Sequence, residues 1–413
     1  MPRVHRAAWV LPIDAPPIRD GWVEVDRGLI VGVGVGVGEQ RTANGEPRTV
    51  LLPALVNAHT HLELSWMRGR VSRGQSMPAW AARLIAERQA GHSIQQRSPA
   101  GADYRSTAVV AAIAEARASG TTLVGDVTNT LEACDPLSQS GLSAAVFFEL
   151  LGFRAADSDA IVAGAMQRLA ALPRLDRLRS AIAPHAPYSV SPDLFRAIAA
   201  AADGRPLSVH LGESPEELRF LRDGTGPWRD LLEGIGAWAP EWAPPACGPV
   251  EYVHRLGLLN DRLIAVHGVQ FADDELRRLA ACGATVVACP RSNRWTGAGV
   301  PPISRFYGAG VRVAIGTDSL ASVEDLNLFS EMAEVRRVAP DIPARRILRS
   351  ATLDGAIALG FGSELGSIAP GKRAELIAVR IPPGPLSPPG LEDVEEYLVG
   401  GIQPTDIAWL EPN

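Results

Sequence analysis

The sequence predicts an α/β protein: a (β/α)8 TIM barrel with a small composite β-sandwich domain formed by both chain ends. Between residue 55 and about residue 360, short apolar β-branched runs alternate with longer alanine-rich stretches, the pattern of repeated βα units. The segments on either side contain short β-type runs broken by glycine and proline. A length of 413 residues suits one barrel and a smaller attachment.

Eight apolar runs are the predicted barrel strands, because eight parallel strands with intervening helices close naturally into a barrel. These runs are Leu55–His59, Thr122–Asp126, Ala144–Leu150, Ala181–His185, Leu207–Leu211, Leu263–His267, Thr285–Cys289 and Val311–Gly316.

The two chain ends are expected to join in one domain. Short β-type runs such as Leu29–Val37 occupy the first segment, and Ala374–Val379 follows the turn PGKR in the last. Chain termini of compact units often lie close together. We therefore predict a domain from residues 1–54 and 365–413, and a barrel domain from residues 55–364.

The composition favours a small-molecule substrate. The formal net charge is −6 and the basic residues are scattered, so the chain lacks the positive patch that nucleic acid or an anionic membrane requires. The four cysteines form no C-x-x-C pair, which predicts free thiols in a reducing compartment. No apolar stretch is long enough to span a membrane, so we expect a cytoplasmic protein, and a homodimer on general grounds.

Histidines gather at the predicted strand ends, where the reactive side chains of such barrels lie. Five of the eight histidines occupy these positions: His59, His61, His185, His210 and His267. Residues i and i+2 of a strand face the same side, so His59 and His61 can present two imidazoles to one ion.

Asp318 adds an oxygen ligand just past the last strand, in the motif GTDSLAS. Together with His59, His61 and His210 it would leave one coordination position open for water, as in catalytic metal sites. The pattern predicts one divalent ion, with Zn²⁺ favoured and Fe²⁺ or Mn²⁺ also suited to these ligands.

Glu213 follows His210 by three residues in HLGES, and this position suits a general acid and base. His267 is the natural partner that orients the attacking water. Taken alone, Glu213 could equally be a solvated carboxylate at a helix N-terminus, where carboxylates are favourable.

Six motifs occur in order along almost the whole chain: LPALVNAHTHLE, PHAPYSVS, HLGES, VHGVQF, CPRSN and GTDSLAS. Together they resemble the amidohydrolase superfamily, in its mononuclear branch of S-adenosylhomocysteine, aminofutalosine, guanine and cytosine deaminases and triazine chlorohydrolases. The resemblance implies metal ligands at His59, His61, His210 and Asp318. It also implies that Glu213 shuttles protons, that His267 contacts the attacking water, and that Asp318 passes a proton to the leaving group.

A lysine-bridged pair of ions, known in the same superfamily, requires a lysine at a strand end. The sole lysine, Lys372, lies in the C-terminal β-segment, so the sequence predicts one ion.

Substrate contacts are predicted at several positions. His185 resembles a position that touches substrate in nucleoside deaminases, and Tyr188 is its neighbour; a buried structural histidine is the alternative. Glu63, in HLELS, resembles the aminofutalosine deaminase pattern. The remaining candidates lie on loops after strands: Arg68, Asn293 and Trp295.

The expected activity is hydrolytic deamination of an amino-substituted N-heterocycle or purine nucleoside derivative, such as aminodeoxyfutalosine or an adenosylhomocysteine-like compound. A chlorohydrolase or another amidine or amide hydrolase could use the same residues. A non-catalytic scaffold is a remote alternative, because such proteins usually lack part of the ligand set, which is complete here.

Overall fold

The structure is a computed structural model that describes residues 2–36, 48–97, 101–173, 175–381 and 391–410. Residues 37–47 of the predicted N-terminal β-segment lie outside this described part, as do residues 382–390 near the other end.

The chain begins with four strands and continues with the eight strands of the barrel, before two more strands near the C-terminus. The first four are β1 (Arg3–Val10), β2 (Ile18–Asp26), β3 (Leu29–Val35) and β4 (Thr49–Pro53). The barrel strands are β5 (Leu55–Thr60), β6 (Thr121–Thr128), β7 (Ser143–Leu150), β8 (Leu178–Pro184), β9 (Leu207–Leu211), β10 (Leu263–His267), β11 (Thr285–Ala288) and β12 (Arg312–Ile315). The last two are β13 (Leu376–Arg380) and β14 (Ile407–Trp409).

The helices of the described residues are α1 (Met77–Arg97), α2 (Gly101–Ala118), α3 (Cys134–Ser140), α4 (Ser158–Ala170), α5 (Pro192–Ala201), α6 (Pro215–Asp223), α7 (Pro227–Gly234), α8 (Pro249–Arg255), α9 (Asp273–Ala281), α10 (Pro290–Thr296), α11 (Ile303–Gly308), α12 (Leu328–Val338), α13 (Ala344–Ser350), α14 (Leu353–Ala358) and α15 (Leu391–Val399). Helices α1 to α11 lie in the connections between the barrel strands, α12 to α14 follow the last barrel strand, and α15 lies between the last two strands of the chain. Short 3-10 turns cover Leu62–Met67 and Pro404–Asp406.

The barrel is assembled from two parallel four-stranded sheets in chain order, β5 to β8 and β9 to β12. Most of their residues are buried, as expected for parallel strands covered on both faces. The amide of His210 donates to the carbonyl of His185 at 2.9 Å between β9 and β8. The predicted (β/α)8 barrel is therefore confirmed, with every strand where an apolar run predicts it.

The seam between β12 and β5 is closed by hydrogen bonds from the turn after β12. The Asn57 side chain donates to Thr317 Oγ1 at 2.8 Å and accepts from the Thr317 amide at 3.0 Å. One residue further on, the Asp318 amide donates to the His59 carbonyl at 3.0 Å. These hydrogen bonds hold Asp318, a predicted metal ligand in the turn after β12, against β5.

Strands from both chain ends form one six-stranded sheet in the order β14-β13-β4-β1-β2-β3. Its junction is the antiparallel pairing of β13 with β4, in which Ile377 lies opposite Leu52. The prediction that the two ends combine is confirmed; the domain boundaries after residues 54 and 364 stay a prediction.

The C-terminal segment also contributes a helix that the sequence analysis does not predict. Helix α15 packs on α12 and α13 of the barrel. Its buried residues Val394, Leu398 and Val399 have helical spacing and form one apolar stripe. This segment therefore contributes to the barrel's outer layer as well as to the six-stranded sheet.

None of the helices in the described part of the chain is long and apolar enough to cross a membrane.

We predict that Asn57→Ala destabilises the protein, because Asn57 is fully buried and its loss leaves the polar groups of Thr317 without their partners. The expected cost is about 2–3 kcal/mol, measured as a lower midpoint of thermal or denaturant unfolding. Gln167→Ala, on the exposed face of α4, is the matched control and should leave the midpoint in place. Equal midpoints for the two variants would contradict this account of the seam.

Candidate metal centre and active site

Three histidines and one aspartate meet at the carboxyl ends of β5, β9 and β12. The ring centroid of His59 lies 4.9 Å from those of both His61 and His210. Asp318 Oδ1 is 3.8 Å from Nε2 of His59 and 3.6 Å from Nε2 of His61. The structure thus brings together all four predicted ligands, and nitrogens of the three histidines lie within 4.8 Å of one another.

The unsatisfied polar atoms of this cluster fit a divalent metal ion. Both ring nitrogens of His59 and Nε2 of His210 are buried without a hydrogen-bond partner among the described residues. Burial, reinforced by the neighbouring imidazoles, holds the pKa of His59 well below its usual value. Neutral imidazole is the form that binds metals. Burial opposes ionisation of Asp318, but His61 and His267 outweigh it and lower the pKa of this carboxyl group.

Two site residues have a left-handed backbone that is uncommon outside glycine. The φ angle is 78° at His267 and 63° at Asp318. Such conformations cost on the order of 1–3 kcal/mol and cluster at functional sites. At Asp318 this conformation is held by the hydrogen bond from its backbone amide to the His59 carbonyl. The same hydrogen bond places the carboxylate beside the histidines.

Glu213 lies beside His267, with Oε1 3.6 Å from His267 Nε2. Its carboxyl group is buried, and neither oxygen has a hydrogen-bond partner among the described residues. Burial raises the pKa of Glu213 to about 8. A carboxyl group with a pKa near neutrality can both take and give a proton during a reaction.

The start of α6 holds Glu213 in this position. Ser214 is the N-cap, and its hydroxyl accepts from the Glu217 amide. In return, the Glu217 carboxylate accepts from the amides of Gly212 and Glu213 at 2.8 and 3.0 Å. The motif HLGES therefore encodes a strand end, a tight turn and a capped helix, with Glu213 facing the centre.

Asn293 lies behind His267 rather than on the cavity wall. Its Nδ2 is 2.9 Å from Nδ1 of His267, and the residue is fully buried. The neighbouring Ser292 hydroxyl donates to Asp318 Oδ2 at 2.5 Å. The position of Asn293 after β11 predicts a substrate contact, but α10 turns its side chain towards His267. The geometry fits a residue that orients His267.

Arg68 and Trp295 also lie away from the cavity wall. Arg68 pairs with Glu115 at 2.5 Å, and its side chain is largely exposed. The indole of Trp295 donates to the Val71 carbonyl at 3.1 Å. Both side chains therefore interact with other residues of the barrel rim, and the structure does not support their predicted substrate contacts.

A cavity opens above the histidine cluster. Its lining includes the predicted residues Glu63, His185 and Tyr188. Burial lowers the pKa of His185 to about 4, so its ring is neutral near pH 7, and its Nδ1 lies 2.5 Å from Ser189 Oγ. Tyr188 stacks on Trp228 at a centroid distance of 3.7 Å, and its buried hydroxyl has no partner among the described residues.

The cavity has one polar and one apolar wall. The apolar wall comes from α1 and α7 and the residue after α7, and includes Trp80, Leu84, Leu231, Leu232 and Ile235. The polar wall carries Glu63, Arg88, Asn129, Glu149 and His185. A site with this division suits a ligand that is polar on one side and apolar on the other.

Glu149 and Arg88 are the charged lining residues that sequence reasoning missed. Glu149 is the penultimate residue of β7, so the strand-end rule that found the histidines could have found it, but no motif surrounds it. Arg88 comes from the middle of α1, which leaves no strand-end signal. Its Nη2 lies 3.8 Å from Glu63 Oε1, and its Nη1 donates to Asn129 Oδ1 at 3.3 Å.

Lys372 lies outside the metal cluster, as the sequence analysis expects. Its ammonium group donates to the carbonyls of Gly362 and Leu365 at 2.7 and 3.1 Å, in the turn before β13. It cannot bridge ions at the barrel mouth from this position.

Comparisons with known proteins agree with this fold and site. The amidohydrolase family model matches residues 50–402. Aminodeoxyfutalosine deaminase of Deinococcus radiodurans is 34% identical over 75% of this chain and 73% of its own length. The 5-methylthioadenosine/S-adenosylhomocysteine deaminase of Moorella thermoacetica is 29% identical over 96% of this chain and 90% of its own length.

A solved structure supports the same conclusion. The zinc-bound structure of an adenosine deaminase from Xanthomonas campestris superposes with a TM-score of 0.77 and 30% identity, covering 98% of this chain and 90% of that one. The chain therefore belongs to the amidohydrolase family. Its assignment to a metal-dependent hydrolase is confirmed, and a site for one divalent metal ion is supported by the histidine cluster.

We predict that His61→Ala lowers the bound metal from about one ion per chain to well below half, since three ligands hold an ion more weakly than four. Elemental analysis after gentle purification measures this. The control is His254→Ala, an exposed histidine on α8, which should keep the metal content of the unaltered protein. Full metal content in His61→Ala would remove His61 from the ligand set.

Proposed function

We propose that the protein removes the amino group from an adenine nucleoside that carries a large 5′ substituent, with aminodeoxyfutalosine as the first candidate substrate. The observation that carries this proposal is the two-walled cavity above the cluster of His59, His61, His210 and Asp318, with Glu213 between cavity and cluster. The similarity to aminodeoxyfutalosine and methylthioadenosine deaminases supports the same substrate class.

The proposed ion is zinc, held by His59, His61, His210 and Asp318. Histidine and carboxylate ligands suit zinc, and the similar adenosine deaminase contains it. A bound zinc ion supplies Lewis acidity, which brings the pKa of a water molecule down to about 7.

Proton transfer is assigned to Glu213. Its carboxyl group takes a proton from the attacking water and passes it to the ring nitrogen next to the carbon that is attacked. Because burial raises the pKa of Glu213 above its usual value, this carboxyl group holds a proton more readily than an exposed glutamate does and can pass it on. Asp318 then accepts the second proton and delivers it to the departing amine, so water and substrate become the oxo product and ammonia.

His267 orients the attacking water. Its Nδ1 is engaged by Asn293 at 2.9 Å, and its Nε2 lies 3.0 Å from Nδ1 of His210 and 3.6 Å from Glu213 Oε1, so this nitrogen faces the candidate metal ligands and Glu213. His185 and Tyr188 contribute a neutral ring and an unpartnered hydroxyl to the cavity wall for contact with the base.

The direct experiment is an ammonia-release assay of the zinc-loaded protein with adenosine, 5′-methylthioadenosine, S-adenosylhomocysteine, aminodeoxyfutalosine, guanine and cytosine. We expect adenine nucleosides with large 5′ groups to have the highest kcat/KM. Release of ammonia from the free bases alone, or of chloride from chlorinated triazines alone, would contradict the proposal.

We predict that Glu213→Gln lowers kcat by about 10²- to 10⁴-fold, the usual contribution of a general acid and base, while the metal content stays unchanged. Exposed Glu241→Gln is the matched control and should retain full activity. Glu213→Gln with full metal and wild-type kcat would exclude Glu213 as the proton carrier.

We predict that Arg88→Met discriminates between two substrates. Aminodeoxyfutalosine carries a carboxylated aromatic group on its 5′ side, and Arg88 is a cation on the cavity wall next to the apolar residues of α1. Loss of one charge-assisted contact should lower kcat/KM for aminodeoxyfutalosine by about 10- to 100-fold. For uncharged 5′-methylthioadenosine the change should be less than about threefold, since no such contact is lost. Equal losses for both substrates would show that Arg88 acts only through the fold.

A further inference from the structure

Glu149 is a charged residue of the cavity wall that the proposed reaction does not use. It is the penultimate residue of β7, and it is buried at the cavity lining. Its Oε2 accepts a hydrogen bond from Asn129 Nδ2 at 2.9 Å, and its Oε1 lies 3.5 Å from Nε2 of His210. The carboxyl group therefore stands between a predicted metal ligand and the space open to substrate.

The second carboxyl group of this wall, Glu63, accepts several hydrogen bonds from the protein. Glu63 Oε2 accepts from Thr128 Oγ1 at 2.7 Å, from Thr130 Oγ1 at 2.7 Å, and from the amides of Asn129 and Thr130 at 3.0 Å each. These four hydrogen bonds join the loop after β6 to the 3-10 turn after β5. Glu63 is thus engaged in the fold, although it was predicted to bind substrate.

Glu149 has far fewer donors than Glu63. A carboxylate offers about four acceptor sites. Asn129 supplies one good hydrogen bond, and the contact with His210 is at the outer limit of hydrogen-bond length. Because Glu149 lines the cavity, the acceptor positions that its protein neighbours do not fill are open to donors from a ligand.

The carboxyl group is also held in place before any ligand arrives. Asn129 Nδ2 contacts both the side chain of Glu149 and its backbone carbonyl, at 2.9 and 3.2 Å. Asn129 Oδ1 in turn accepts from Arg88. An acceptor fixed in this way loses little side-chain entropy on binding, so each new hydrogen bond contributes more fully to affinity.

Neutral hydroxyl donors match this acceptor best. Adjacent hydroxyls of a sugar can donate to one carboxylate together, and the wall already carries the cation Arg88 for anionic groups. In a nucleoside whose base faces Glu213 and His185, the sugar is the part that follows along the wall. We infer that Glu149 accepts hydrogen bonds from the 2′- and 3′-hydroxyls of the substrate and makes the site selective for ribonucleosides. This inference rests on the proposed nucleoside substrate.

The test compares adenosine with 2′,3′-dideoxyadenosine as substrates of the zinc-loaded enzyme, for the unaltered protein, Glu149→Gln and Glu149→Ala. The unaltered protein should prefer adenosine in kcat/KM by about 10- to 100-fold, the effect of one or two hydrogen bonds to a charged group. Glu149→Gln should reduce that preference to about threefold or less, mainly through a higher KM for adenosine. Glu63→Gln is the matched carboxyl variant; it should lower stability and keep the preference.

Binding of the products gives a readout that does not depend on turnover. Calorimetric titration with inosine and 2′,3′-dideoxyinosine should show the same preference in Kd, and the same loss of preference in Glu149→Gln. If Glu149→Gln impairs both nucleosides equally, or loses its metal while the preference persists, Glu149 serves His210 and the inference fails. Absence of nucleoside turnover in the unaltered protein would overturn the proposed function, whereas equal Kd values for the two products would overturn this inference.

Discussion

The closure of the barrel between β12 and β5 is the constraint on which the site depends. Asp318 reaches the histidines of the first strand only because its amide bonds to the His59 carbonyl and its neighbour Thr317 is fixed by Asn57. The same bonds sustain a left-handed backbone at Asp318 that an isolated loop would not keep. The fold and the candidate metal centre therefore depend on the same hydrogen bonds, and weakening them would move the Asp318 carboxylate away from the histidines.

A second set of contacts holds the candidate catalytic residues in place. Ser214 and Glu217 fix Glu213, Asn293 engages the far nitrogen of His267, and Ser292 bonds to Asp318. Sites that work by electrostatics need groups held in place before the reaction. The sequence places these supporting residues next to the reactive ones, in HLGES and CPRSN.

The sequence predicts the barrel well and places the candidate ligands at one rim, because parallel strands bring all their carboxyl ends together. A histidine at the end of an apolar run is therefore informative without any structure, as His59, His210 and His267 show. No comparable rule predicts the direction in which a loop side chain points. Asn293 follows β11 as a substrate contact would, yet α10 turns it to His267. Arg88 reaches the cavity from a long helix whose path over the barrel depends on tertiary packing, and α15 lies in a segment where the sequence analysis foresaw only strands.

In the proposed reaction, a single zinc ion acts together with Glu213 to deaminate an adenine nucleoside. The most direct test is the rate of ammonia release from aminodeoxyfutalosine as zinc is added stepwise to metal-free protein. We predict a rate that rises in proportion to bound zinc and reaches its maximum at one ion per chain. Full activity without zinc, or a rate that rises until two ions are bound, would contradict the account.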